Sequence, residues 1–139
     1  KLFSKVLVPT DFSRSAGLAS SLIKTIPGIE EIVFLHVVTR AESHPEIEVG
    51  IRDAQIRLAD MKKEFIAMGV ECALHVRVGD PTEMILSVAE EDDVSLVAMS
   101  AYGTDWLWEM LLGNTTFTVV RRTRRPVLVI RTGQENETI

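Results

Sequence analysis

Ser100-Ala-Tyr-Gly103 follows a short apolar run, Val94 to Met99, and nine residues separate it from Gly113-Asn114. A strand, a small-residue turn and a Gly-marked helix start can cradle phosphate oxygens. Glycine lets backbone N–H groups approach a ligand closely, and the first turn of a helix offers unpaired donors and a favourable dipole. The same order describes any βα unit, so the spacing alone leaves a plain crossover open. Asp11 ends the run Val6-Leu-Val-Pro-Thr-Asp11; its carboxylate can cap the next helix, bond the loop backbone or meet a ligand.

Other reactive side chains read more plainly. His36 has no second His, Cys or carboxylate at ligand spacing, which favours a hydrogen-bonded core histidine over a metal ligand. His44 and His75 read as surface positions. Arg121-Arg122 and Arg124-Arg125 stand about two turns, ~10 Å, beyond Asn114, where they offset a helix dipole rather than clamp phosphate. Glu90 to Asp93 reads as a solvated helix end. No serine has a His and carboxylate at motif spacing, and the Walker pattern with its lysine is absent, so no catalytic residue is assigned. A phosphoacceptor domain would want an acidic pair, an Asp and a Lys after successive strands, and that set is missing.

The elements that must position these residues are α/β in pattern, with β-branched runs alternating with helical periods. The first strand is Val6–Val8. Ser13 caps a helix over Ala16, Leu18, Leu22 and Ile23, stopped by Pro27-Gly28. Residues 32–38 form a strand apolar on both faces, and 39–45 a polar loop. From Pro45 to Met68, the residues Ile47, Ile51, Ala54, Leu58, Met61, Phe65 and Met68 make a helix stripe that ends at Gly69. Residues 70–78 alternate apolar and polar, which predicts an edge strand with one wet face. Asp80-Pro81 opens a helix through Met84, Ile85, Val88 and Ala89. Strands follow at 94–99 and 127–130. Between them Thr115 to Val120 reads as strand by propensity, but two parallel strands need a long crossover, so we read helix with Asn114 as its N-cap.

The chain's 139 residues suit one domain, and its formal charge of −5 draws it to neither nucleic acid nor an anionic membrane. No stretch approaches the ~20 apolar residues of a membrane span. The single Cys72 excludes an internal disulfide and reads as a small buried hydrophobe, and the amino terminus has no signal-peptide pattern, so the expected compartment is the reducing cytoplasm. The chain does not begin with Met, which leaves a longer parent polypeptide open. The domain is expected over 1–131, with a polar, disordered tail over 132–139.

Val8-Pro-Thr-Asp-Phe-Ser13, Leu35-His-Val-Val38, Gly79-Asp-Pro81, Ser100-x2-Gly103-x9-Gly113-Asn114 and Arg125-Pro-Val-Leu-Val129 occur in that order along nearly the whole chain. Together they resemble the universal stress protein family. The resemblance implies a Rossmann-like open five-stranded parallel sheet of order 3-2-1-4-5, of the adenine-nucleotide alpha-hydrolase type, with helices on both faces. It also implies a ligand crevice between the first and fourth strands. In members that bind nucleotide, positions matching Pro9, Thr10 and Asp11 line the adenosine pocket and that matching Val37 reads adenine through its backbone. Positions matching Gly103, Gly113, Asn114, Thr115 and Thr116 surround the phosphates, above Met99 and Ser100.

The chain departs from the family's Gly-x2-Gly-x9-Gly-Ser/Thr pattern at Ser100 and Asn114. Residues 100–120 hold no Lys or Arg and include Asp105 and Glu109, so ATP would depend on backbone amides, hydroxyls and Mg²⁺. The expected function is a stress-response module binding ATP or AMP, with at most slow hydrolysis. The alternative is a dimerising interaction module with a degenerate site, working through Trp106 and Trp108, which also suit ordinary helix packing. The strand Val127–Ile130, apolar on both faces at a sheet edge, predicts a homodimer.

Overall fold

The computed structural model describes residues 1–40, 43–101 and 108–132, with the backbone alone over 108–114. In chain order the elements are β1 (Lys5–Pro9), α1 (Arg14–Ile23), β2 (Glu31–Val38), α2 (His44–Ile66) and β3 (Glu71–Val78). They are followed by α3 (Pro81–Glu91), β4 (Leu96–Ala101), α4 (Trp108–Arg122) and β5 (Val127–Arg131). All pairings are parallel, in the order β3-β2-β1-β4-β5. Gly103, Trp106 and the 133–139 tail lie outside the described residues, as do the side chains of Trp108 and Asn114.

Strand side chains alternate between two cores, as the two-residue period requires. Val6, Val8, Ile32, Phe34, Leu96, Ala98 and Ile130 pack under α1 and α2 with Ala19, Ile23, Leu58 and Phe65. Leu7, Val33, Leu35, Val97 and Met99 pack on the opposite face with Ile85, Val88 and Ala89 of α3 and Val119 of α4. Each fully buried aliphatic or aromatic side chain here contributes about 1.5–3 kcal/mol. Phe34 and Phe65 meet edge to face at 5.5 Å.

Local chemistry sets the helix starts. Ser13 Oγ accepts the Ala16 N–H, and Asp80 accepts that of Glu83 with Pro81 next in line. Ser43 and Glu46 close a capping box, which starts α2 at His44, inside the expected loop. The Ser43 contacts also hold the Glu46 carboxyl below its ordinary value. Gly69, at φ +86°, takes the left-handed turn after α2 that favours glycine. Met68, the expected end of the apolar stripe, is half exposed because the helix has already ended.

Several boundaries differ from expectation. α1 ends at Ile23, ahead of Pro27. β4 runs Leu96–Ala101, so Ser100 is a strand residue, not the first of a turn. α4 starts at Trp108, so Gly113 and Asn114 lie inside the helix and Asn114 is no N-cap. The helix formers Glu109 to Leu112 account for the early start, and an interior Gly costs only about 1 kcal/mol. Thr115 to Val120 is helical, as the crossover demanded. Thr132 also continues past the expected domain end. Its N–H donates to the Ala101 carbonyl at 2.8 Å, and its hydroxyl lies 2.7 Å from that of Ser15.

β3 is at the sheet edge, but its polar face is not wet, since every residue after Glu71 is partly covered. The cover is charge. His75 Nε2 lies 2.8 Å from Asp92 Oδ2, and Arg77 bonds Glu91 at 3.0 Å, so His75 is no plain surface position. Glu90 and Asp93 in turn take Arg125, which also donates to the Val94 carbonyl. The acidic run 90–93 is therefore a clasp joining α3 to β3 and to the chain before β5.

Candidate functional site

The strand pairing opens a crevice. β1 and β2 pair over five positions up to Pro9 and Leu35, whereas β1 and β4 pair only at Val6–Leu96 and Leu7–Val97. The chain then turns toward β2, with the Thr10 N–H donating to the Leu35 carbonyl at 2.8 Å. A cavity of about 240 Å³ fills the gap at the carboxyl end of the sheet. Open α/β sheets bind ligands at this switch point, where helices leave toward opposite faces.

Thr10 organises the first wall. It is buried; its carbonyl accepts the His36 Nδ1 proton at 2.8 Å and its Oγ1 accepts the Phe12 N–H at 3.0 Å. A carbonyl partner requires the proton on Nδ1, so His36 is a hydrogen-bonded histidine, as expected. Phe12 adopts φ +62°, uncommon for a residue with a Cβ, and its ring lies 4.6 Å from that of His36 with the Arg57 guanidinium 5.1 Å over it. Asp11 is exposed and lines the cavity, with Oδ1 accepting the Ser13 N–H at 2.9 Å. It bonds the loop and faces the cavity at once.

Val37 supplies the recognition edge. In a parallel ladder, alternate residues turn their peptide groups to alternate neighbours. The Val38 carbonyl accepts from Gly79 beyond β3, and that of Leu35 from Thr10 beyond β1. By this alternation Val37 also points its N–H and C=O toward β1, past the last β1–β2 pair. It lines the cavity. A donor and an acceptor on one residue suit the edge of a planar heterocycle.

Met99, Ser100, Thr115 and Thr116 form the opposite wall, closed by Pro81 and Ile85 of α3. The Thr116 hydroxyl donates to the Ser100 carbonyl at 3.4 Å. Pro9, Thr10, Asp11, Val37, Met99, Ser100, Thr115 and Thr116 thus meet around one cavity. Gly103 and the side chain of Asn114 lie outside the described residues. Within α4, the interior position of Gly113 commits its N–H to the helix ladder, and the first-turn donors belong to residues from Trp108 onward. Sequence reasoning did not pick out Phe12, Pro81 or Ile85. Only the Asp80-Pro81 cap signal marked that the start of α3 would close the site. Among the described residues no three His, Cys, Asp or Glu converge as metal ligands. The Cys72 thiol is half-buried, and burial raises its pKa.

The family model of the universal stress protein family matches residues 2–131. A universal stress protein of Methanocaldococcus jannaschii is 29% identical over 94% of this chain and 96% of its own length. A solved structure of it superposes with a TM-score of 0.79 at 31% identity, covering 96% of this chain and 99% of the other. Two more distant structures share the fold. One is a universal stress protein family protein of Arabidopsis thaliana with AMP bound, at TM-score 0.62 and 20% identity over 92% of this chain and 91% of its own. The other is a universal stress protein in complex with cAMP, at TM-score 0.71 and 19% identity over 94% and 98%.

Proposed function

This chain belongs to the universal stress protein family, and we propose that its crevice holds an adenine nucleotide and that the domain senses or regulates in a stress response. The observation that carries this reading is the Val37 peptide, a donor and an acceptor left past the end of β1 and facing a cavity beside Asp11. Adenine presents an amino donor next to a ring-nitrogen acceptor, the complement of that pair. Asp11 is then available to a ribose hydroxyl, while Ser100, Thr115 and Thr116 stand on the side where phosphate would lie. The AMP and cAMP complexes of distant relatives with this fold support the ligand class.

In this reading any Mg²⁺ arrives with the phosphates, since Asp11 is the one carboxylate among the described lining residues. Nothing in the cavity is assigned to catalysis, and hydrolysis, if any, is slow. The domain works in the cytoplasm as a homodimer that buries the edge strand β5. A second reading is favoured by Gly113 and Asn114 lying inside α4: an interaction module with a lapsed site, engaging a partner at Trp106 and Trp108.

Thermal unfolding of nucleotide-stripped protein separates the two, because a ligand of the native state must raise its stability. Our reading expects a rise of several degrees with millimolar adenine nucleotide, little with guanine nucleotide, and a smaller rise in Asp11→Ala. No shift with any adenine compound would leave the interaction module.

A further inference from the structure

We infer that the crevice accepts a nucleoside or nucleoside monophosphate, cyclic forms included, and discriminates against a triphosphate; this rests on the adenine-site reading above. The argument is one of charge. From Ser100 to Val120, a stretch whose described members Ser100, Thr115 and Thr116 line the crevice, the sequence has no Lys or Arg. Among the described lining residues the only charged one is Asp11, itself acidic.

Three arginines of α4 and the chain after it have partners of their own. Arg121 lies over Phe117, Arg122 bonds Glu83, and Arg125 bonds Glu90, Asp93 and the Val94 carbonyl. The Arg125 contacts are at the amino end of β4, whereas Arg122 is held by Glu83 in the first turn of α3. Arg14, Arg40 and Arg131 stand nearer the carboxyl end, but none is among the residues lining the crevice.

One phosphate can be met without a cation. The hydroxyls of Ser100 and Thr115 are neutral donors of the right kind. A monophosphate carries about −1.5 to −2 at neutral pH. Each added phosphate brings further negative charge to a crevice whose one charged side chain among the described lining residues is Asp11, in a protein whose formal charge is already −5.

Calorimetric titration of the whole chain with adenosine, AMP, cAMP and ATP, with and without Mg²⁺ and at low and high salt, tests this. Adenosine, AMP and cAMP should bind more tightly than ATP by about tenfold or more, and salt should narrow the gap by screening repulsion. ATP binding as tightly as AMP, or weakening with salt, would overturn the inference while leaving the adenine site standing. Failure of adenosine and AMP alike to bind would remove the adenine reading and this inference with it. Thr115→Lys should raise affinity for ATP more than for AMP. If that variant does not fold, the salt series on the natural sequence decides alone.

Discussion

Thr10 holds the crevice wall through three bonds, one from each of its amide, carbonyl and hydroxyl, to β2, His36 and Phe12. Replacing it by valine keeps the shape but strips the acceptor from the Phe12 N–H, at a residue already in a left-handed conformation. Thr10→Val should therefore cost about 1–3 kcal/mol in urea unfolding, whereas Ser13→Ala, which removes only the α1 cap, should cost about 1 kcal/mol. Equal losses would mean that Thr10 is an ordinary loop residue. At this scale the sequence was partly legible. Asp80 and Ser13 announce their caps by type and spacing. Phe12 does not, because nothing in a phenylalanine marks a positive φ that tertiary contacts impose.

Charge and helix boundaries belong to the scale of elements. The Glu83, Glu90 and Asp93 carboxyls are all held below their ordinary values, foremost by hydrogen bonds from Arg122 or Arg125. A carboxyl depressed in the folded state stabilises it above the unfolded pKa and stops doing so as pH falls through the folded one. Stability should then decline once pH drops below about 4.5, the ordinary glutamate value. The decline should be shallower in Arg125→Gln, whose Glu90 and Asp93 titrate more alike in both states. Urea midpoints measured from neutral pH to about pH 2.5 read this directly, and parallel curves would mean that the clasp contributes nothing. Composition showed the acidic run but not its partners, since Arg77 and Arg125 reach it only after β3 and β5 are in place. The start of α4 was misread for a related reason. Gly113 and Asn114 have the types of a helix boundary, yet the helix formers before them extend the helix through both.

At the scale of the whole molecule, the order β3-β2-β1-β4-β5 was legible through the resemblance to the family, and the alternating third strand, which needs an edge, agrees with it. The same order leaves β5 at the opposite edge, with Val127, Leu128 and Val129 partly exposed. A second copy pairing there would cover it. Val129→Lys should convert dimer to monomer in sedimentation, and a dimer that persists would refute pairing through β5. The site was legible through the same resemblance, which already pointed to the Val37 backbone; the register of β1 against β2 adds why that peptide is open. Amide-resolved NMR titration with AMP tests that point most directly. Our account predicts shifts concentrated at Thr10, Asp11, Val37, Ser100, Thr115 and Thr116, with the Val37 N–H moving as a newly bonded donor; an unmoved Val37, or shifts gathered elsewhere on the molecule, would contradict it.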